Sequence, residues 1–146
     1  MSAHEILPGI WLGDMMSATD VNFFRKFNIQ AVINCTPDVP NGIKGVDYLQ
    51  IKIDDSLKKF DINKMKEALP VALNFIHKKH DIERKNILIH CHAGMQRSAT
   101  IVTAYLCKYY NLSLNQSVNY ILSKRKVAFH YGKHLNFYEA LAHFKK

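Results

Sequence analysis

Asn86 to His90 carries three apolar residues in succession, Ile87, Leu88 and Ile89. A short run without alternation reads as a strand buried on both faces, the pattern of parallel sheets covered by helices. The rest of the chain supplies those helices and further strands. A short entry segment, Ile10 to Gly13, leads to a helix that Ser17 can cap; Val21, Phe24 and Phe27 share a face of it, and Asn28 ends it. Ala31 to Asn34 reads as a second buried strand, followed by a turn-rich loop with Pro37, Pro40, Asn41, Gly42 and Gly45. Tyr48 to Ile53 alternates, placing Leu49, Ile51 and Ile53 on one face of another strand. Asp61 is placed to cap a helix in which Ile62, Met65, Leu69, Ala72 and Ile76 recur at three or four residues. Pro70 predicts a kink or break there, because proline removes an amide and crowds the preceding turn. Beyond the buried strand, Ala99, Val102, Leu106 and Tyr109 mark a helix. Ser113 and Gln116 form a capping box ahead of Leu114, Val118, Ile121 and Leu122, and Leu135, Tyr138, Leu141 and Phe144 mark the last helix. Strands interleaved with helices predict an α/β fold: a central, mostly parallel sheet flanked by helices.

The chain has the size of one domain, and its 146 residues show no repeat, low-complexity stretch or Pro/Gly/Ser linker, so one domain over 1–146 is expected. Hydrophobic residues at 48% and charged residues at 22% exclude a disordered chain. No apolar run approaches the ~18 residues that cross a bilayer, and Met1 to Glu5 lack the basic and apolar regions of a signal peptide. The expectation is a soluble intracellular protein, cytoplasmic with the nucleus also open to it, and no membrane partner. Cys35, Cys91 and Cys107 are too few and too scattered for a disulfide framework or a zinc site, which fits a reducing compartment. The formal charge of +8 favours anionic partners: phosphorylated proteins, nucleic acid or acidic membrane surfaces. The basic residues are dispersed, as in Lys58-Lys59, Lys78-Lys79 and Lys124-Arg125-Lys126, and read as solvated faces.

The stretch His90-Cys91-His92-Ala93-Gly94-Met95-Gln96-Arg97-Ser98 lies between the buried strand and a helix N-terminus. There, unpaired amides and the positive end of the helix dipole can cradle a phosphate. Gly94 lets the backbone bend inward. The same amides favour the thiolate of Cys91 as a nucleophile, and Arg97 can meet phosphate oxygens with two parallel hydrogen bonds.

These residues resemble the signature of the cysteine-dependent protein phosphatases, and Ala93-Gly94 with Arg97-Ser98-Ala99-Thr100 is similar to the dual-specificity branch. The resemblance covers nearly the whole chain, since Ile10 to Gly13, Val32 to Pro37, Tyr48 to Asp55 and Ala104-Tyr105-Leu106 are similar to family segments in the same order. It implies two in-line phosphoryl transfers, with Cys91 as nucleophile and a phosphocysteine intermediate. Arg97 and the amides of His92, Ala93, Gly94, Met95, Gln96 and Arg97 would hold the phosphate, and Ser98 would hydrogen-bond the sulfur. No metal or cofactor is implied. The phosphatase needs an acid for the departing oxygen. Asp54 and Asp55 follow the predicted strand Tyr48 to Ile53, and two adjacent carboxylates also suit a solvated turn. Alignment with the family places the acid at Asp55, 36 residues before Cys91, with Asp54 as runner-up.

Other residues take lesser parts. His90 is expected to fix the loop by hydrogen bonding, and Asn34 to support it from the neighbouring strand. His92, Met95 and Gln96 are expected to turn outward within reach of substrate. Cys35, at the carboxyl end of its strand, is a possible redox partner of Cys91, or a packed strand-end residue. Cys107 reads as packed. His130 and His134 read as a surface helix end in preference to a metal face, and Arg125 or Lys126 as either a second-phosphate site or a solvated helix end. One departure stands out. Family members directed at proteins commonly carry a Pro-Asn pair before the last helix, whereas this chain reads Phe129 to His134 and is a residue or two longer. The implied substrates are phosphorylated proteins, carrying phosphotyrosine and phosphoserine or phosphothreonine in a shallow pocket. RNA 5′-phosphatase or phosphoinositide phosphatase is the alternative using the same loop. Nucleic acid is not the favoured partner, because no aromatic-basic platform is visible. A non-catalytic phosphoprotein-binding module is disfavoured by the presence of Cys91, Arg97 and Asp55.

Overall fold

The computed structural model describes residues 2–145. Its single five-stranded sheet runs in the order β1 (Ala3–Leu7), β2 (Ile10–Gly13), β5 (Asn86–His90), β3 (Ile29–Asn34) and β4 (Asp47–Gln50). From β2 to β4 every pairing is parallel, and β1 adds an antiparallel edge. The α/β architecture with a mostly parallel sheet is therefore as expected.

Ile87, Leu88 and Ile89 are fully buried at the centre. The strand period of two sends them to opposite faces. Ile87 and Ile89 join Leu12, Ile33, Leu73 and Val102 in the larger core, while Leu88 joins Trp11, Val32, Phe23 and Phe24 on the other side. Helices α3 (Lys59–Ile76), α4 (Arg97–Tyr109), α5 (Leu114–Lys124) and α6 (Tyr138–Lys145) follow the predicted stripes. The capping box of α5 forms between Ser113 and Gln116.

Several local expectations need correction. In place of one helix capped by Ser17 there are two, α1 (Met15–Ala18) and α2 (Val21–Lys26). Asp14 and Asp20 cap them by accepting from the Ser17 amide at 2.9 Å and the Asn22 amide at 3.0 Å. Aspartate caps as well as serine does, and Asp14 stands three residues earlier. Asn28 does close α2, in the left-handed conformation at φ 51°. Helix α3 begins before Asp61, whose side chain accepts from the Asp54 amide and the Ser56 hydroxyl instead of capping. Pro70 is exposed, and α3 passes through it unbroken. It then widens into π-type turns over His77–Ile82, where Asp81 accepts from the Tyr105 hydroxyl at 2.8 Å. The β4 ladder stops at Gln50, so Ile51 to Ile53 leaves the sheet while keeping Ile51 and Ile53 buried, and carries Asp54 and Asp55 past the sheet end.

Ala128–Gly132 makes a left-handed turn in which Phe129, His130 and Tyr131 have φ of 55°, 50° and 60°. Left-handed backbone disfavours any residue with a Cβ, and the fully buried Phe129 ring anchors the turn in the core. Among the described residues no helix is long and apolar enough to cross a membrane.

Candidate active site

Parallel strands β2, β5 and β3 end on the same side, and in open α/β sheets that edge is where loops gather around a ligand. The loop leaving β5 turns into α4 over Cys91 to Gln96, with Arg97 as the first helical residue. Four neighbours brace it. The Cys35 amide, just past β3, donates to the His90 carbonyl at 2.9 Å, and the Met15 amide of α1 donates to the His92 carbonyl at 2.9 Å. The Phe129 amide donates to the Met95 carbonyl at 2.7 Å, and Arg125 donates to the carbonyls of Gly94 and Ala93, each at 2.9 Å.

Gly94 is required by both conformation and space. Its φ is +67°, and a Cβ there would lie 2.5 Å from the Gly13 carbonyl oxygen, which is backbone and has nowhere to yield. The inward bend brings the Gly94 amide to the Cys91 Sγ at 3.2 Å, and the Ser98 Oγ reaches the same sulfur at 3.2 Å. Cys91 is almost fully buried.

Arg97 is only 4% exposed, and its Nη1 donates to the Ile53 carbonyl at 2.7 Å. Its Nε is buried with no hydrogen-bond partner among the described residues. An unpaired buried guanidinium donor costs on the order of 1 to 3 kcal/mol. An anion held in the loop would supply the missing acceptor. The Arg97 contact also ties the phosphate loop to the segment that carries Asp54 and Asp55.

Those two carboxylates are exposed, and different contacts hold them. Asp54 is fixed by its backbone, through the bond from its amide to Asp61. The Asp55 side chain accepts at Oδ1 from the Asn136 Nδ2 at 2.8 Å. The Asn136 backbone amide in turn donates to the Gln96 Oε1 at 3.0 Å, and the Gln96 Nε2 donates to the His134 carbonyl at 2.8 Å. Gln96 is thus a buried clamp between the two loops. The expectation that its side chain faces substrate is corrected: it lies inward at 1% exposure with both amide ends bonded. His92 is exposed and donates from Nε2 to Asp38 at 2.7 Å, while Met95 is half-buried.

His90 is buried, and its Nδ1 lies 3.2 Å from the Cys91 carbonyl. Burial above all holds its imidazole down to about 4, so it stays neutral at physiological pH. Asn34 is corrected. Its Nδ2 donates to the Val39 carbonyl at 2.7 Å, and its Oδ1 accepts from the Thr36 amide at 3.0 Å, so it shapes the loop after its own strand and not the phosphate loop. Arg125 is neither a second-phosphate site nor a solvated helix end, because it is 1% exposed behind the loop. His130 lies within the left-handed turn and His134 just past it, neither at a surface helix end, and His134 turns to Asn136 at 2.7 Å. Among the described residues, no three His, Cys, Asp or Glu side chains converge as metal ligands.

Cys35, Cys91 and Cys107 are all free thiols. Burial first, and the neighbouring Cys91 charge second, push the Cys35 thiol up. Sequence reasoning missed Asn136 and the roles of Arg125 and Gln96, because each acts across more than 30 residues of chain and none sits in a periodic or capping pattern that would mark it. A groove of about 640 Å³ between α2 and Gly42 to Val46 holds no nucleophile.

Comparison with known proteins gives a consistent picture. A sequence profile described as "Dual specificity phosphatase, catalytic domain" matches residues 10–146. Dual specificity protein phosphatase 7 of Homo sapiens is 32% identical over 124 residues, covering 83% of this chain and 28% of the relative. Dual specificity protein phosphatase 26 of Bos taurus is 33% identical over 132 residues, covering 86% of this chain and 60% of the relative. The chain therefore spans under a third of the length of the first relative. The crystal structure of DUSP15 superposes with a TM-score of 0.85 at 26% identity, over 98% of this chain and 86% of that one.

Proposed function

Because this chain belongs to the dual specificity phosphatase catalytic-domain family, we propose that it is a cysteine-dependent protein phosphatase acting on phosphotyrosine and on phosphoserine or phosphothreonine. One observation carries the reading: the Cys91 Sγ sits 3.2 Å from both the Gly94 amide and the Ser98 hydroxyl, in a loop whose arginine keeps a buried donor without a partner among the described residues.

In the first step the Cys91 sulfur attacks phosphorus, the bond to the leaving oxygen breaks, and the protonated Asp55 carboxyl gives that oxygen its proton. Asn136 occupies Asp55 Oδ1 and so leaves Oδ2 to carry the proton. The product is a phosphocysteine. In the second step the Asp55 carboxylate takes a proton from water, the water oxygen attacks phosphorus, and the phosphorus–sulfur bond breaks to leave a thiolate that accepts from the Ser98 hydroxyl. Arg97 and the loop amides from His92 to Arg97 hold the charge of the transferring group throughout. No cofactor enters either step. A shallow pocket around the loop would suit aliphatic as well as aromatic phosphoesters.

The test compares turnover of tyrosine- and threonine-phosphorylated peptides with that of 5′-triphosphorylated RNA and a phosphoinositide, using the full chain. Both peptides are expected to be hydrolysed with kcat/KM well above the other two. Preference for RNA or the lipid would replace the protein-phosphatase reading with the corresponding one. No hydrolysis of any phosphoester would leave a binding module.

A further inference from the structure

Arg125 is a second buried arginine beside the phosphate loop, and the mechanism above makes no use of it. Its guanidinium is spent on three acceptors: Nε on the Gly94 carbonyl and Nη2 on the Ala93 carbonyl, each at 2.9 Å, and Nη1 on the His4 Nδ1 at 2.9 Å. Burial first, and the adjacent guanidinium second, hold the His4 imidazole below its usual range, which leaves Nδ1 free to accept.

The Ala93 carbonyl belongs to the same peptide unit as the Gly94 N–H, and that N–H donates to the Cys91 sulfur at 3.2 Å. A buried cation therefore pulls on the oxygen of a peptide whose hydrogen points at the nucleophile. Hydrogen bonds in series polarise one another, and in a water-poor surrounding the effect is larger. The second bond, to the Gly94 carbonyl, fixes the next peptide plane and so the direction of the Met95 amide. Space agrees with this reading: a Cβ on Gly94 would lie 2.7 Å from the Arg125 Nη2, so the guanidinium occupies the room that glycine leaves.

We propose that Arg125 is a positioning residue that acts through the Ala93–Gly94 peptide to hold the Gly94 amide on Cys91 and so to favour the sulfur as an anion. It touches neither substrate nor the reacting atoms. The charged and titratable groups around the pair are His4, Asp14, His90, His92, Cys35 and Arg97, and all remain in place in the variants below. The proposal rests on Cys91 being the nucleophile, but its test does not depend on turnover.

The experiment is alkylation of the full chain by iodoacetamide as a function of pH, with modification at Cys91 followed by peptide mass spectrometry to separate it from Cys35 and Cys107. In Arg125→Met the rate at pH 6.5 is expected to fall about 10-fold while the high-pH plateau stays at the wild-type value, as expected when an assisting charge-linked hydrogen bond weakens. Arg125→Lys keeps the charge but cannot span two carbonyls, and should fall between them. If Arg125→Met does not fold, Arg125→Lys decides alone. A folded variant whose profile superposes on wild type overturns the proposal, and so does a change in the plateau, which would mean that the loop had merely collapsed. Failure of the phosphatase reading appears separately, as absence of turnover in the wild-type chain.

Discussion

Cys91, Gly94, Gln96 and Arg97 are buried and braced from four directions, whereas Asp55, which the proposed reaction needs just as close, stands exposed beside Asp54 on a segment that has left its sheet. The phosphate loop is held by backbone bonds from β3, α1 and the left-handed turn, and by Arg125. The acid loop is held by one guanidinium on the Ile53 carbonyl, by Asp61 under Asp54 and Ser56, and by Asn136 on Asp55. The difference matches what each half must do. Transition-state charge is best met by donors that do not reorganise, which calls for a rigid cradle. The acid has to accept and release a proton in alternate steps, and an exposed carboxylate with one oxygen engaged can do so. Damage to the cradle should therefore lower every activity, and damage to the acid loop should discriminate among substrates.

The largest effect is expected from Gly94→Ala. With a positive φ and a backbone oxygen in the way, the variant should lose about 3 kcal/mol of stability in denaturant unfolding and about a thousandfold in turnover, for activated and poor leaving groups alike. A folded Gly94→Ala chain with near-normal kcat would show that the bend is not needed.

Asp55→Asn comes next. Turnover of a phosphotyrosine peptide should fall by roughly 100-fold, and that of an aryl phosphate with a good leaving group much less, because only the former needs a proton delivered. If Asp54→Asn gives that selectivity and Asp55→Asn does not, the acid has been placed one residue late.

Asn136→Ala should be milder, about 10-fold in kcat on the phosphotyrosine peptide, with little change in KM or on the activated substrate. In an Asp55→Asn background it should add nothing, since the acid that its bond supports is already gone. Full additivity of the two substitutions would remove Asn136 from the acid's support.

The smallest effect concerns Cys35. Its amide is bonded to the carbonyl just before Cys91, so the two strand ends lie side by side. Peroxide converts the Cys91 thiolate to a sulfenic acid, and the Cys35 thiol can then form a disulfide with loss of water. After peroxide and then a thiol reductant, Cys35→Ser should recover about half the activity that wild type recovers. Equal recovery, or peptide maps without a Cys35–Cys91 link, would rule the exchange out.

The comparison also explains what was legible in the sequence. The buried strand Ile87 to Ile89 and the stripes of α4 and α5 could be read because periodicity and apolar runs are local consequences of burial. Cys91, Gly94 and Arg97 were legible together because one short loop must hold nucleophile, bend and anion binder at fixed spacing. The acid was not fixed by local pattern, since two adjacent exposed carboxylates look like any turn, and only alignment with relatives favoured Asp55. Asn136 and the roles of Arg125 and Gln96 stayed hidden. Each meets its partner through the fold alone, and a basic residue at a helix end or an amide in a loop carries no mark of burial. The turn at Phe129 to Gly132 was seen only as a departure in length, because nothing in Phe-His-Tyr announces left-handed backbone.

The central claim, that Cys91 carries the phosphoryl group between the two loops, is tested most directly by a single-turnover reaction with a phosphotyrosine peptide, quenched in acid and mapped by mass spectrometry. The wild-type chain should show one phosphoryl group on the peptide containing Cys91, and Cys91→Ser should show none while still binding the phosphopeptide. Release of phosphate with no covalent adduct at Cys91, or steady-state turnover by Cys91→Ser comparable with wild type, would contradict it.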